Sequence, residues 1–167
     1  RGAWVCSQPP SAALRCGVRS EISVIIPVQN DAGPLRKTVA AILAQSNGLV
    51  REIILAVGPS HDDTRVVAQE LAAAEPIVRV IDNPTGKTPV ALNAAITAST
   101  APIIARIDAR AVIPIGYLTL AVDTLTESGA ANVGAVQNPV GFLPASARLP
   151  RQWPRSWALV GLVTGGA

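Results

Sequence analysis

The stretch Ile103-Ile104-Ala105-Arg106-Ile107-Asp108-Ala109-Arg110 decides the fold of this chain. Four apolar residues surround Arg106, which predicts a buried β-strand over residues 103–107, and the chain turns polar at Asp108. In an open α/β sheet, ligands bind in the crevice beyond the carboxyl ends of the strands. A carboxylate delivered there by a rigid strand is well placed to hold a metal ion, a ribose or a phosphate-bound cation. For a single aspartate, the capping of a turn is the alternative explanation.

Further apolar, β-branched runs on either side of this stretch predict four more strands. They cover residues 22–28, 53–57, 77–81 and 132–137, and the first three end in polar loops. Apolar residues at helical spacing predict a helix after each of the first four strands. These helices begin near Pro34, after a capping-box pattern at Ser60 and Asp63, at Pro89, and near Gly116. The alternation predicts an α/β fold of three layers with a mostly parallel central sheet.

Composition narrows the class of function. Hydrophobic residues make up 49% of the 167 residues and charged residues 15%, which excludes disorder and allows one domain with a core. Aromatic residues make up only 3%, too few to offer stacking surfaces for single-stranded nucleic acid. A net charge of +3 on scattered arginines favours an anionic small molecule or a membrane surface over a DNA groove. We therefore expect no nucleic-acid partner.

The sequence pattern divides the chain into three parts. Residues 1–20 lack periodicity and are predicted to form a loose tail. Cys6 and Cys16 lie in this tail; a disulfide across so short a loop stays open, while two cysteines alone favour a reducing compartment. Residues 21–138 carry the alternating strands and helices of the predicted domain. Prolines interrupt residues 139–167, which are predicted to be irregular, and the apolar run 157–163 is too short to span a bilayer.

The polar residues that end the first four strands are expected to share one edge of the sheet. These strand ends offer turn residues, one lysine, one arginine and a few carboxylates. Together such groups can bind the base, the ribose and the diphosphate of a nucleotide. In this order the residues resemble the family 2 glycosyltransferases, in particular their succinoglycan-type, ExoA-like branch. The resemblance covers about residues 21–138 and rests on four ordered blocks: Ser23 to Asn30, Glu52-Ile-Ile with Ser60 to Thr64, Asn83-Pro84 through Gly86-Lys87 to Asn93, and Ile107 to Arg110.

The resemblance implies a GT-A fold, truncated on its C-terminal side, and a nucleotide-diphosphate sugar donor. It further implies inverting transfer to a glycan or lipid-linked acceptor in polysaccharide biosynthesis. Together with the modest positive charge, the resemblance implies a cytoplasmic protein that can associate peripherally with the inner face of a membrane. Asp108 is the first acid of the family's Asp-x-Asp element and would contact the ribose or a divalent cation such as Mg²⁺ or Mn²⁺. Lys87 and Asn93 would lie near the ribose and diphosphate. The base pocket would be lined by Pro27, Val28, Gln29 and Asn30.

Two departures from the family pattern concern the donor. Val57 occupies the place of an aspartate that usually reads the base, and its side chain cannot accept a base N–H. Recognition of the base would then depend on backbone groups. Arg110 occupies the place of the second metal ligand, and arginine cannot ligate a cation. It could neutralise the diphosphate directly, so we expect donor binding to need little or no divalent ion.

The third departure concerns catalysis. Inverting transfer needs a general base, and no Asp or Glu occurs after Glu127, so no catalytic residue is assigned. We expect this chain to bind the donor with poor or absent transfer activity. A degenerate, non-catalytic nucleotide-binding or scaffold module is the alternative. A P-loop NTPase is a weaker one: Gly86-Lys87-Thr88 follows a strand, but Ile81 stands where that motif requires glycine.

Overall fold

The computed structural model describes residues 21–128 and 132–133, together with the backbone of residues 162–164. The elements in chain order are β1 (Ile22–Val28), α1 (Ala32–Leu43), β2 (Val50–Val57), α2 (Thr64–Ala74), β3 (Val78–Asp82), α3 (Thr88–Ala98), β4 (Ile103–Arg106), α4 (Tyr117–Ser128), β5 (Asn132–Val133) and β6 (Leu162–Thr164). The loose tail predicted for 1–20, with both cysteines, lies outside the described residues. So does most of 139–167.

The described strands form one sheet in the order β3-β2-β1-β4-β6-β5. The pairs β1–β2, β2–β3 and β1–β4 are parallel, with Val24 opposite both Ile53 and Ala105. β6 runs antiparallel to both β4 and β5. The first three strands extend the sheet in one direction and the chain then crosses to the other side of β1. The interval between β1 and β4 is therefore a topological switch point.

Helices cover both faces of the sheet, because successive side chains of a buried strand point to opposite faces. Val24 and Ile26 pack with Leu35, Val39 and Ile42 of α1, in a large core that also takes in residues of α2 and α4. On the other face, Ile25, Ile54 and Ile104 pack against Ala91 and Ala95 of α3. The predicted three-layer α/β architecture with a mostly parallel sheet is confirmed.

Several local predictions need correction. β2 begins at Val50, three residues before the predicted strand, because Arg51 and Glu52 interrupt the apolar pattern without interrupting the pairing. The capping box at Ser60 is wrong: α2 begins at Thr64 after Asp63, and the first N–H of the helix donates to the Asp62 side chain at 3.1 Å instead. Residues 162–164 lie in the stretch predicted to be irregular and form β6 instead. The predicted fifth strand, 132–137, is described only as β5; its remaining residues lie outside the described part.

Within the described residues, every helix is too short or too polar to cross a membrane. The longest helices, α1 and α4, have 12 residues each. Crossing the hydrocarbon core takes about 20 residues.

Candidate functional site

A pocket of about 400 Å³ opens at the switch point between β1 and β4, where ligands of open α/β sheets bind. Three loops at the carboxyl edge of the sheet supply its walls. The lining consists of Pro27 and Val28 at the end of β1, Gln29 and Asp31 after it, Asn83 and Gly86 after β3, Thr88 at the start of α3, and Arg106, Asp108, Ala109, Arg110 and Ala111 at and after the end of β4. The structure therefore brings together loops that are up to about 80 residues apart in the chain.

Five of the nine residues predicted to bind a donor line this pocket: Pro27, Val28, Gln29, Asp108 and Arg110. The other four lie outside its lining. Val57 is fully buried in the large core, and its backbone carbonyl accepts from the Asn83 N–H at 2.9 Å. Lys87 is exposed as the residue before α3, and Asn93 is exposed on the second turn of that helix.

Asn30 connects the loop after β1 to the loop after β2. It has the left-handed backbone conformation, with φ of 54°, which asparagine tolerates better than most residues. Its side-chain Oδ1 accepts from the His61 N–H at 2.8 Å, and its own N–H donates to Ser60 Oγ at 3.1 Å. These two bonds account for Asn30 structurally and explain why Ser60 does not cap α2. His61 itself is exposed.

A second set of bonds holds the first turn of α1. Asp62 accepts from the Ala32 N–H at 3.1 Å and from the Thr64 hydroxyl, and the hydrogen bond from Thr64 lowers the pKa of the Asp62 carboxyl. The Thr64 hydroxyl also accepts from the Asp31 N–H at 2.7 Å. The loop after β2 therefore fixes the position of Asp31 on the pocket wall, although the described lining comes from the loops after β1, β3 and β4.

Two glycines let the loops after β1, β2 and β3 meet at close range. A Cβ on Gly58 would lie 3.4 Å from Gly86 Cα, and a Cβ on Gly86 would lie 3.1 Å from Gln29 Nε2. Gln29 Nε2 donates to the Pro59 carbonyl at 3.0 Å. Gly86 also has a positive φ of 67°, which side-chain-bearing residues rarely adopt. One corner of the pocket is therefore built from backbone and one glutamine amide.

Replacing Gly86 by alanine is expected to destabilise the protein by about 1–2 kcal/mol, the cost of a left-handed residue with a Cβ. The new Cβ would also push Gln29 off the Pro59 carbonyl. Gly33→Ala is the matched control: Gly33 lies in the first turn of α1, and apart from its chain neighbours a Cβ added there would meet nothing within 4 Å. The gain from replacing a helical glycine and the strain of a Cβ directly before Pro34 oppose each other, so alanine should change stability by less than about 1 kcal/mol. Urea unfolding of both variants, with the Gln29 side-chain amide followed by NMR, measures both effects. Equal stabilisation by the two alanines would contradict this account of the corner.

Helix α1 holds the loop that follows β4. The Thr38 hydroxyl is buried and lies 2.8 Å from the Ala109 carbonyl and 3.1 Å from the Ala111 carbonyl. Within the loop, the Ala111 N–H donates to the Asp108 carbonyl at 2.9 Å. The backbone around Asp108 and Arg110 is therefore fixed before any ligand arrives.

Arg110 forms a close ion pair with Asp31 across the pocket wall. Its Nε lies 2.5 Å from Asp31 Oδ1, and its Nη2 lies 3.4 Å from the Asn30 carbonyl. The Asp31 side chain is 10% exposed and also accepts from the Gln29 N–H at 3.2 Å, whereas the Arg110 side chain is 66% exposed. The hydrogen bond from Arg110 to Asp31, supported by their charge attraction, raises the pKa of the Arg110 guanidinium.

Arg106 and Asp108 form a second, looser pair. Arg106 Nη2 lies 3.2 Å from Asp108 Oδ1, and Arg106 Nε is buried without a hydrogen-bond partner in the described part of the chain. Each arginine of the pocket thus faces one carboxylate, so the pocket is close to charge-neutral.

Sequence analysis did not assign Asp31 or Arg106 to the site. Asp31 directly follows Asn30, which ends the first block. Its position just after a predicted strand was a signal in the sequence that could have assigned it to the site. Arg106 stands inside an otherwise apolar run, which predicts a strand residue and not a site residue, but the period of two places Arg106 and Asp108 on the same side of the chain. Asn83 and Gly86 lie in the loop after β3 and Thr88 begins α3; the sequence predicts a polar loop at this strand end without assigning these residues.

The described residues that line the pocket do not form a metal site by themselves. Among residues 21–128 and 132–133, no three His, Cys, Asp or Glu side chains are grouped so as to hold a cation. Asp108 is paired with Arg106 and Asp31 with Arg110, and the residue two positions after Asp108 is an arginine. These arginine-paired carboxylates do not form a ligand set that fits a resident divalent cation.

Comparison with known proteins agrees with the fold and the family resemblance. The family model "Glycosyl transferase family 2" matches residues 23–158. The succinoglycan biosynthesis protein ExoA of Rhizobium meliloti (strain 1021) is 29% identical over 121 residues, which is 71% of this chain and 37% of that protein. This chain therefore spans little more than a third of the length of that relative.

Two solved structures share the fold. Glucosyl-3-phosphoglycerate synthase from Mycobacterium tuberculosis, in complex with Mn²⁺, uridine diphosphate (UDP) and glucosyl-3-phosphoglycerate, superposes with a TM-score of 0.57 at 23% identity. The match covers 79% of this chain and 48% of that one. S. aureus TarS 1-349 superposes with a TM-score of 0.58 at 17% identity, over 67% of this chain and 34% of that one. With its GT-A architecture and a family match over most of its length, the chain belongs to glycosyl transferase family 2.

Proposed function

We propose that this chain binds a nucleotide-diphosphate sugar and serves an inverting transfer of that sugar to a glycan or lipid-linked acceptor. The observation that carries the proposal is the pocket at the switch point, lined by two arginines, two aspartates and neutral amides. A sugar nucleotide presents a diphosphate, ribose hydroxyls and a base, which those groups complement. A positive net charge of +3 supports contact with an anionic membrane surface when the acceptor is lipid-linked.

Base recognition in this proposal relies on neutral groups. Val57 is buried and offers no acceptor, so the amide of Gln29 and the backbone around Gly58 and Gly86 are the nearest polar partners in that corner. Asn83 is buried and uses its own amide within its loop, accepting from the Thr85 hydroxyl at 2.9 Å and donating to the Lys87 carbonyl at 3.3 Å. Gln29 is therefore the side chain in this corner that we assign to the base.

Donor binding is expected to proceed without a divalent cation, because Arg110 supplies positive charge where the family places a metal ligand. Titration of UDP, GDP, ADP and CDP with excess EDTA should give the same affinity as titration with excess Mn²⁺. Arg110→His tests the same idea in reverse: histidine is a metal ligand, so this variant should bind better with Mn²⁺ than with EDTA. Loss of binding to the unmodified protein in EDTA would contradict the expectation. Absence of binding under both conditions would reject the proposed function.

A non-catalytic nucleotide-binding module is the second candidate. Both carboxylates that line the pocket accept from an arginine, so among the described residues neither is uncommitted as a general base. Incubation with the nucleotide sugar that binds best separates the two candidates. Sugar transfer to an added glycan or lipid-linked acceptor supports the transferase, slow donor hydrolysis alone supports a weakened enzyme, and binding without turnover supports the module.

A further inference from the structure

The two guanidinium groups of the pocket differ in how well they are bonded. Arg110 is anchored: its Nε lies 2.5 Å from the buried Asp31 carboxylate. Arg106 is not anchored in this way, because its one contact with a carboxylate is from Nη2 to Asp108 Oδ1 at 3.2 Å. The Nε of Arg106 is buried and has no partner among the described residues.

Bond lengths and burial together make the Arg106 arrangement a poor resting state. Hydrogen bonds between an arginine N–H and a carboxylate are usually about 2.7–2.9 Å long, so the 3.2 Å contact with Asp108 is weak for its type. A buried N–H without an acceptor loses its hydration and gains nothing in return. Arg106 therefore has more to gain from a new acceptor than Arg110 has.

The position of Arg106 allows it to reach a ligand. Along β4 the side chains alternate, so Ile104 and Arg106 point to the same face of the sheet, where Ile104 packs against α3. The Arg106 side chain lies beyond this apolar cluster, is 32% exposed and lines the pocket. A guanidinium presents two parallel N–H donors that match two oxygens of a phosphate.

We propose that Arg106 exchanges partners when the donor binds: its guanidinium leaves Asp108 and donates from Nε and Nη to the donor's diphosphate. This proposal rests on the proposed function, since it names the group that holds the phosphates of that same donor. Arg110 stays paired with Asp31 and contributes from its exposed Nη groups. Asp108, relieved of Arg106, becomes available as an acceptor for a ribose hydroxyl. In the free protein, Asp31 therefore holds Arg110 and Asp108 holds Arg106. When the donor binds, only the pair of Asp108 and Arg106 separates.

The test compares nucleoside diphosphates with the matching monophosphates by calorimetry. The probes are UDP, GDP, ADP and CDP and their monophosphates, and the tightest pair is carried forward to the variants. Arg106→Gln should weaken diphosphate binding roughly ten- to hundredfold, the range for a hydrogen bond to a charged group, and monophosphate binding much less. Arg106→Lys keeps the charge without the paired donors and should fall in between. Arg51→Gln removes an exposed arginine of the Glu21 pair, at the opposite edge of the sheet, and should leave both affinities unchanged.

A second measurement follows the unmodified protein, and the Arg106→Lys variant serves only to assign one resonance. The ¹⁵N–¹H resonance of Arg106 Nε, assigned by its absence from the Arg106→Lys spectrum, should shift when the diphosphate is added and remain in place with the bare nucleoside. Equal losses of monophosphate and diphosphate affinity in Arg106→Gln would indicate a merely structural role and overturn the proposal. An unmoved Nε resonance at saturating diphosphate would overturn it as well. If the unmodified protein binds none of the probes, the proposed function itself fails, which is a different result from binding that ignores Arg106.

Discussion

Replacing Glu52 by glutamine is expected to remove about 3 kcal/mol from the free energy of unfolding at neutral pH, at 1.36 kcal/mol per pKa unit. Glu52 lies in the first half of β2, away from the pocket, and its side chain is only 7% exposed. Burial raises the pKa of the Glu52 carboxyl, but hydrogen bonds from Thr100, Ser23 and Arg79 outweigh it and lower the pKa from 4.5 to about 2. The carboxylate is therefore much better stabilised in the folded state than in the unfolded chain.

The geometry of this network explains the size of the effect. Glu52 Oε1 accepts from the Ser23 hydroxyl at 2.8 Å and from both the N–H and the hydroxyl of Thr100 at 2.7 Å. Oε2 accepts from Arg79 Nη1 at 2.7 Å. The residue thus ties β1, β2, β3 and the start of β4 together at the amino end of the sheet. Glutamine can replace one acceptor, but its NH₂ group would face the Arg79 guanidinium.

The pH dependence follows from the depressed pKa. The stabilisation is fully present above the unfolded value of 4.5 and is lost as the pH falls from 4.5 towards about 2. Urea unfolding of the unmodified protein and Glu52→Gln across this window should show their stability difference shrinking as the solution becomes more acidic. Glu70→Gln, in an exposed pair with Arg36, is the control and should change stability by about 1 kcal/mol or less at every pH. A difference that stays constant from neutral pH to the acid end would contradict the role given to the ionised Glu52.

The strands of the parallel sheet could be predicted from sequence because burial on both faces requires continuous β-branched runs, as in Ile22–Val28. β6 could not be predicted, since its antiparallel pairing with β4 joins residues some 60 positions apart and leaves no local signature. The sequence also does not predict which face of α3 is buried. The helix packs through Ala91 and Ala95, whereas Ile96 is 45% exposed. Helix spacing alone does not tell which of two apolar stripes meets the sheet.

The convergence of the site could be predicted from topology, because strands that run parallel end at one edge of the sheet. What topology does not supply is the pairing of individual charges at that edge. Arg110 is predicted to neutralise the diphosphate, and nothing in the sequence indicates the ion pair with Asp31 that the structure shows. Arg106 is predicted only as part of a buried strand, whereas in the structure about a third of its side chain is exposed and it lines the pocket. Partner choice among four neighbouring charges depends on distances of a few tenths of an ångström, which no spacing rule encodes.

The Asp31–Arg110 pair is expected to show strong coupling in a double-mutant cycle. Arg110→Gln leaves the buried Asp31 carboxylate with the Gln29 N–H as its remaining donor in the described part of the chain. A buried acceptor that loses its charged partner costs about 1–3 kcal/mol. Because Arg110 is two-thirds exposed, the loss should lie below the 3–5 kcal/mol typical of fully buried pairs. Asp31→Asn removes the negative charge of the pair. The double variant should lose less unfolding free energy than the two single variants together, by about 2 kcal/mol.

Urea unfolding of the four proteins measures this coupling without any ligand, so its result is independent of the proposed function. The Arg65–Asp82 pair is the matched control: it joins the same residue types at 2.7 Å, but its side chains are 49% and 72% exposed. Its coupling should stay within about 1 kcal/mol, as for other surface pairs. If the two cycles give equal coupling, burial of Asp31 does not fix Arg110, and the contrast with the loosely held Arg106 loses its basis. A larger coupling at Asp31 means that the pocket keeps one cation in place and leaves the other to respond to the ligand.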